Sequence, residues 1–291
     1  MLPVLSLTML SGCGGSTERQ PYSRADAEED TLYEETEISA AEKTTAESSE
    51  IIIENDDTQD NDLSSQNSSI NIAPDDFSYE AVESEGRTTR RIEWKGLNGD
   101  DFWLEVTFNV SAYEYYSQLP RIEAGVSEDG KPDHSKWIEY INDQNNRDFL
   151  KVIADALIKC GNDYGYSRQE MILEAVRYVQ SIEYVTDKDF CGETEYPKYP
   201  IETVYDNCGD CEDVSFLLAG ILREMGCDVC FLYLPGHFAV GIAGDDTIDG
   251  VYYQYNDKKY YYAEATNDEF LLGQTPVNVD WSEAIMYFPG E

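Results

Sequence analysis

The chain is organised around the run Cys208-Gly209-Asp210-Cys211-Glu212-Asp213, which leads directly into its most regular apolar pattern. Between Val214 and Met225 apolar residues recur at helical spacing, and Gly226 follows as a C-terminal stop signal. Asp210 stands where a helix N-cap belongs. The pattern predicts a buried helix whose first residue is Cys211.

Two further residues with useful side-chain chemistry stand on predicted strands beyond this helix. The strands are predicted at Val229–Leu234, His237–Ala243 and Lys258–Thr266. His237 opens the second strand, and Glu264 lies near the end of the third. A thiol, an imidazole and a carboxylate can act as nucleophile, base and orienting group. We predict an α+β fold in which the Cys211 helix packs on an antiparallel sheet that carries His237 and Glu264.

The rest of the domain also shows recognisable patterns. Strands are predicted at Arg90–Lys95 and Phe102–Val110, joined by a turn at Gly96–Asp101 with Asn98-Gly99-Asp100 as the turn signal. Helices are predicted at residues 145–160 and 168–183. The proline-rich stretch 195–201 is predicted to be an extended loop. His134 stands in a polar loop and is expected to be solvated.

The first residues resemble an export signal. Residues 2–10 form a short apolar run, and Leu10-Ser11-Gly12-Cys13 is similar to the lipobox of bacterial lipoproteins. Cys13 would then be lipidated and would anchor the protein to the outer side of a bacterial cell membrane. Residues 1–13 are therefore predicted to be a lipoprotein signal segment.

The acidic residues are unevenly spread along the chain. Residues 14–86 are polar and acidic without apolar periodicity, which predicts a disordered linker. Residues 87–291 form the predicted domain, with N-terminal strands and helices over 87–167 and a catalytic core over 168–275. The formal net charge of −39 excludes a nucleic-acid partner, because phosphate recognition needs a basic surface.

The seven cysteines of the chain do not give a readable disulfide pattern. If Cys13 is lipidated and Cys211 is a free nucleophile, an odd number remains and cannot pair completely. Cys208 is a candidate redox partner, since a Cys208–Cys211 disulfide would block the nucleophile reversibly.

A thiolate is the reactive form of cysteine, so the site is expected to lower the pKa of Cys211. The positive end of the helix and a protonated His237 favour the thiolate, whereas the neighbouring carboxylates oppose it. We expect the helix end and His237 to dominate. The N–H of Cys211 would help form an oxyanion hole, with Asp210 supporting it as the helix cap.

Residues 170–274 resemble the bacterial and archaeal transglutaminase-like domain of the papain-like thiol fold. The matching pieces are Ala175–Tyr184, Lys198–Thr203, Cys208–Asp213, Leu234–Val240 and Tyr260–Thr266. With the strand pair and Tyr113–Arg121 included, the resemblance covers about two thirds of the chain. It implies that Cys211 is the nucleophile, His237 the base and Glu264 the third member, a position where the family more often has Asp.

The resemblance also implies an activity. Active members form an acyl-enzyme from an amide, and water or an amine then decides between hydrolysis and transamidation. We therefore expect a cell-surface thiol enzyme that acts on a peptide or protein amide, with or without an amine acceptor. We expect it to be a monomer, without a metal or an organic cofactor.

Three other interpretations stay open. Cys208-x2-Cys211 and Cys227-x2-Cys230 have the spacing of a four-cysteine zinc site. Cys208-Gly209-Asp210-Cys211 also resembles a thiol–disulfide exchange motif. The tyrosines at 252, 253, 255 and 260–262 could instead form the rim of a non-catalytic peptide- or glycan-binding module.

Overall fold

Helices and strands alternate irregularly along the chain. The computed structural model describes residues 6–11, 86–127, 130–268, 270–277, 279–281 and 284–289. The strands are β1 (Ser6–Ser11), β2 (Arg87–Lys95), β3 (Asp101–Asn109), β4 (Gly125–Val126), β5 (Pro132–Asp133), β6 (Glu183–Tyr184), β7 (Cys208–Gly209), β8 (Val229–Leu234), β9 (His237–Gly244), β10 (Tyr252–Tyr255), β11 (Lys258–Ala263) and β12 (Ile285–Tyr287). The helices are α1 (Val110–Ser117), α2 (Glu139–Asn142), α3 (Gln144–Tyr164), α4 (Arg168–Gln180), α5 (Asp187–Phe190), α6 (Pro200–Asp206) and α7 (Cys211–Glu224), with a 3-10 turn at Ser135–Ile138.

Helix α7 lies at the centre of the fold. Every residue from Glu212 to Leu222 is buried, as expected for a helix that is covered on all sides. It packs on β8 and β9 of a five-stranded sheet, and α3 and α4 also pack against it. The order in that sheet is β10-β11-β9-β8-β12, and every neighbouring pair is antiparallel. The predicted α+β fold, with the Cys211 helix on an antiparallel sheet, is confirmed.

A second sheet has the order β1-β3-β2. The predicted strand pair is confirmed as β2 and β3, which pair from Arg87–Asn109 to Lys95–Asp101. Strand β1, which overlaps the predicted signal segment, pairs antiparallel with β3. Cys13 and residues 14–85 of the predicted linker lie outside the described residues. Among the residues described, no helix combines the length and the apolar character needed to cross a membrane.

Several element boundaries differ from the predictions, and two of these differences have a local cause. Strand β11 ends at Ala263 rather than at the predicted Thr266, because the backbone N–H of Thr266 turns back to the Glu264 carboxylate. The predicted loop over 195–201 is shorter, since α6 begins at Pro200. Proline suits the first turn of a helix because its missing N–H would be unpaired there in any case.

His134 was expected to be solvated, and that prediction is wrong. Its side chain is buried against the rings of Trp137, Tyr233 and Phe238. Burial lowers the pKa of His134, because the charged imidazolium would lose its hydration. The polar residues around it in sequence gave no sign of these aromatic partners, which come from β8, β9 and the turn at Ser135–Ile138.

Candidate active site

His237 and Glu264 meet at one end of the five-stranded sheet. The two-residue turn Pro235-Gly236 joins β8 to β9 and makes His237 the first residue of β9, opposite Leu234. Glu264 directly follows β11, whose last residue Ala263 pairs with Val240 of β9. The imidazole Nε2 of His237 lies 3.0 Å from the Glu264 Oε2. When Nε2 donates to this carboxylate, Nδ1 is left as the proton acceptor of the ring.

Glu264 is fully buried, and two more side chains support its negative charge. The Tyr262 hydroxyl donates to Oε2 at 2.7 Å, and the Thr266 hydroxyl donates to Oε1 at 2.7 Å. Burial alone would raise the pKa of this carboxyl, but the contacts with His237, Tyr262 and Thr266 outweigh burial and lower its pKa to about 2. Glu264 is therefore ionised at neutral pH and able to hold the imidazole in one orientation.

The sulfur of Cys211 lies beside the strand that carries His237. The main-chain N–H of Phe238, the residue after His237, lies close enough to this sulfur to lower the pKa of the thiol. One helical turn further on, the Ser215 hydroxyl donates to the carbonyl oxygen of Phe238 at 3.2 Å. Cys211 and Ser215 of α7 thus both lie against the backbone of Phe238, which holds the start of the helix against the start of β9.

The protonation state of Cys211 differs from the expectation. Burial raises the pKa of this thiol, and the carboxylates of Glu212 and Asp210 raise it further. The thiol donates to Oε2 of Glu212 at 3.1 Å. The expected dominance of the helix end and His237 is therefore wrong for this arrangement, because carboxylates on both sides of Cys211 are partly or fully buried with it. The resting cysteine is a neutral thiol.

Acidic side chains gather around the first turn of α7. The carboxylate oxygens of Asp187, Asp210 and Glu212 lie within 4.8 Å of one another, a spacing that would also suit a cation. Burial raises the pKa of Asp210 to about 6 and also raises that of Glu212. Acidic clusters of this kind are common without an ion, and we assign no metal to this one.

Asp210 occupies the predicted N-cap position of α7, and its backbone N–H donates to Oδ2 of Asp213 at 3.3 Å. The other oxygen of Asp213 accepts from the backbone N–H of Lys198 at 2.6 Å. Asp213 therefore ties the helix start to the preceding loop. Among the described residues, the buried Oδ1 of Asp210 has no hydrogen-bond partner. The support of an oxyanion hole by Asp210 stays a prediction.

The four cysteines with zinc-like spacing have separate environments. The ammonium group of Lys198 lies 3.6 Å from the Cys208 sulfur, whereas the guanidinium of Arg168 lies 3.3 Å from the Cys227 sulfur. Cys230 is buried in the cluster on the other face of the sheet, with Leu232 and Tyr260. All six described cysteines are free thiols: Cys160, Cys191, Cys208, Cys211, Cys227 and Cys230.

The tyrosines of β10 and β11 are mainly packing residues. Tyr260, Tyr261 and Tyr262 are buried, and the exposed ring of Tyr252 packs against Tyr261. This leaves little of the aromatic rim that a binding module would need. A cavity of about 350 Å³ lies elsewhere, between α1, α3 and α6, and Cys211, His237 and Glu264 are not among its lining residues.

Several residues of the site carried weak signals in the sequence or none. Tyr262 stands two residues before Glu264, so strand alternation places both side chains on one face. Thr266 stands two residues after it, a spacing typical of local carboxylate turns. Gln180 at the end of α4 carried no signal, yet its buried Nε2 donates to the carbonyl oxygens of Glu264 at 2.8 Å and Phe270 at 3.0 Å.

Comparison with known proteins gave matches only among solved structures. No protein-family model matches the chain, and no curated protein matches it. Legionella pneumophila LapG matches with a TM-score of 0.33 and 14% identity, over 49% of this chain and 87% of LapG. A structure described as a TGase matches with a TM-score of 0.29 and 13% identity, over 66% of this chain and 47% of the TGase chain. A protein from Cytophaga hutchinsonii, described as a candidate cysteine protease, matches with a TM-score of 0.28 and 14% identity, over 65% and 70% of the two chains.

Proposed function

We propose that this protein is a thiol enzyme that acts on peptide or protein amides, with Cys211 as nucleophile, His237 as base and Glu264 as orienting group. One observation supports this proposal most directly. The Nε2 atom of His237 lies 3.0 Å from Oε2 of Glu264, and the Cys211 sulfur lies near the same end of the sheet. Three residues far apart in sequence contribute the parts of one nucleophilic site. The resemblance of residues 170–274 to transglutaminase-like domains supports the same roles.

The reaction begins with the neutral Cys211 thiol. Its side chain rotates away from Glu212, and its proton passes to Nδ1 of His237 as the sulfur attacks the amide carbonyl carbon. The imidazolium that forms is stabilised by Glu264, which keeps its negative charge because its pKa is about 2. The carbonyl oxygen becomes an oxyanion near the N–H groups at the start of α7, including that of Cys211.

The tetrahedral intermediate then collapses. The C–N bond breaks, His237 returns its proton to the leaving amine, and an acyl-thioester remains on Cys211. Attack by water yields an acid, whereas attack by a primary amine yields a new amide. In both cases His237 takes a proton from the attacking group and the thiol is restored. Product analysis with a peptide amide, in the presence and absence of a primary amine, separates hydrolysis from transamidation.

Covalent labelling tests the assignment of the nucleophile. We expect a thiol-directed peptide probe to label wild-type protein at Cys211 and to leave Cys211→Ala unlabelled. Circular dichroism of Cys211→Ala should match the wild type, because loss of one sulfur at the helix start removes little packing. Mass spectrometry of tryptic peptides identifies the labelled residue.

The matched control is Cys208→Ala, three residues away in the same run. It should keep most of the labelling at Cys211 and most of the amide-cleaving activity. If Cys208→Ala abolished labelling and Cys211→Ala did not, the nucleophile would be Cys208. Metal analysis that gave one zinc per chain would instead favour the zinc interpretation.

The location of the protein is a further part of the proposal. The lipobox-like Leu10-Ser11-Gly12-Cys13 supports lipidation at Cys13 and display on the outer side of the bacterial membrane. The acidic stretch that follows supports a spacer between anchor and enzyme. A surface position would give the enzyme access to peptide amides outside the cell.

A further inference from the structure

Tyr184 is an exposed aromatic residue whose ring has no visible structural use. Its side chain is 50% exposed. The exposed rings of Tyr115, Tyr164, Phe190 and Tyr252 each pack against another aromatic ring. Tyr184 has no such partner among the described residues, and none of those residues hydrogen bonds its hydroxyl. An unpacked, solvent-facing ring is available to pack against a ligand.

Strand pairing places Tyr184 beside the nucleophile. Strand β6 pairs in parallel with β7, so that Tyr184 lies opposite Gly209, two residues before Cys211. The backbone N–H of Val185 donates to the Gly209 carbonyl oxygen at 3.0 Å and fixes this register. Neighbouring strands lie about 4.8 Å apart, which brings the Tyr184 ring to the edge of the proposed site.

The surroundings of this ring are negatively charged. The stretch 183–195 exposes Glu183, Asp189, Glu193 and Glu195, against a single exposed cation, Lys188. Burial raises the pKa of Tyr184, and the nearby acidic groups of the site, which include the carboxylates of Asp210 and Glu264, raise it further. Its hydroxyl is therefore neutral at physiological pH. A neutral phenol ring among carboxylates attracts a cation over its face and repels an anion.

We infer that Tyr184 is a specificity-determining residue, whose ring packs against a lysine or arginine side chain of the substrate next to the scissile amide. This inference rests on the proposed function and names its substrate class. The aliphatic stem of such a side chain can cover the ring while its charged end faces the carboxylates of the 183–195 stretch. An acidic residue at the same substrate position would meet only like charge.

A pair of isosteric probes tests the inference. Two peptide vinyl sulfones are made that differ only in arginine or neutral citrulline beside the electrophile, and their second-order rates at Cys211 are measured. On the full wild-type chain we expect the arginine probe to react about tenfold faster at low salt, with a smaller difference at high salt. Tyr184→Ala should react with the arginine probe about tenfold more slowly than the wild type. Tyr184→Phe should keep the wild-type rate, because the ring remains.

Two controls separate specificity from damage to the nucleophile. Iodoacetamide is too small to contact Tyr184, so its rate at Cys211 should be the same in all variants. Tyr252→Ala removes an exposed ring that packs on Tyr261, and it should keep the wild-type rates with both peptide probes. Loss of the iodoacetamide rate in Tyr184→Ala would mean that the residue acts on the nucleophile instead, which contradicts the inference.

The remaining outcomes are also decisive. If neither peptide probes nor iodoacetamide label wild-type Cys211, the proposed function fails and the inference fails with it. If wild-type Cys211 is labelled but citrulline and arginine probes react equally, only the substrate class is wrong. If Tyr184→Ala keeps the wild-type rate with the arginine probe, the assignment of Tyr184 is wrong while the proposed function stands.

Discussion

Glu264 shows how single residues set the chemistry of this site. Its carboxylate is buried, which by itself would favour the neutral acid. Three donors, from His237, Tyr262 and Thr266, reverse that preference. Cys211 has the opposite balance, and its pKa is raised. The nearby N–H of Phe238 lowers this pKa, but burial beside the carboxyl groups of Asp210 and Glu212 raises it by more. The site therefore combines a permanent anion with a neutral thiol, and in the proposed mechanism the imidazole of His237 takes up the proton of that thiol.

Replacement of Glu264 by glutamine should change the pH dependence of stability. The folded-state pKa of about 2 lies below the ordinary value of 4.5, so ionised Glu264 stabilises the fold above pH 4.5. That stabilisation is roughly 3 kcal/mol, and it is lost as the pH falls from about 4.5 towards 2. We expect Glu264→Gln to be less stable than the wild type at pH 7, with a difference that shrinks at acid pH. Urea denaturation of both proteins across this range measures it.

Glu114→Gln is the control for this experiment, since Glu114 is exposed on α1. Its stability should follow that of the wild type at each pH. A difference between Glu264→Gln and wild type that stays constant from pH 7 to pH 3 would show that packing, and not ionisation, explains the loss.

At the scale of elements, the junction between β7 and α7 positions Cys211, the proposed nucleophile. Gly209 ends the short strand, and a Cβ atom there would lie 2.6 Å from the Asp213 Cβ and 2.9 Å from its Oδ2. Asp213 in turn holds the backbone N–H groups of Lys198 and Asp210. The close approach of strand end and first helical turn therefore depends on the absence of a side chain at residue 209.

Gly209→Ala should move the first turn of α7 away from β7. We expect the free energy of unfolding to fall by about 1–3 kcal/mol, because Asp213 is buried and has no free space to move into. We also expect slower alkylation of Cys211 by the arginine probe, as the helix start shifts relative to His237. Denaturation curves and labelling rates measure the two effects.

Gly125→Ala serves as the matched control. A Cβ atom there would meet its nearest neighbour, the Asp133 carbonyl oxygen, at an ordinary 3.5 Å. It should leave stability and labelling close to the wild-type values. Wild-type behaviour of Gly209→Ala would show that the junction is not tightly constrained.

At the scale of the whole molecule, the net charge and the proposed lipid anchor define the setting of the proposed enzyme. Residues 87–291 carry 38 Asp and Glu against 17 Lys and Arg, so the domain itself has a net charge of −21. Such a surface repels polyanions and attracts cationic peptides over the distance of about one Debye length. This agrees with the basic substrate class inferred for Tyr184.

Cys13→Ser should release the protein from the membrane. In a bacterial host we expect wild-type protein in the membrane fraction and Cys13→Ser in the soluble fraction, because the variant lacks the residue that would carry the lipid. Immunoblotting of the two fractions measures the distribution. Cys191→Ser, which removes an exposed cysteine within residues 87–291, should stay with the membrane. Equal membrane binding of both variants would contradict lipidation at Cys13.

The sequence by itself determined the elements whose signals are local. Helical periodicity defined α7, and strand patterns defined β8, β9 and β11. These signals depend on backbone preferences and on the burial of one face of an element. Both can be read from a short window of residues. The order thiol, imidazole, carboxylate was readable for the same reason, since each residue stands at the end of such an element.

Only the tertiary structure decided which distant groups share one environment. It buried His134 among rings from three elements, surrounded Cys211 with carboxyl groups that raise its pKa, and joined Gln180 to the backbone of Glu264. It also set Tyr184 beside Gly209 through a pairing that no spacing in the sequence predicts. The physical reason is that pKa values and hydrogen-bond partners depend on desolvation and on contacts across the fold, which arise only when the elements pack.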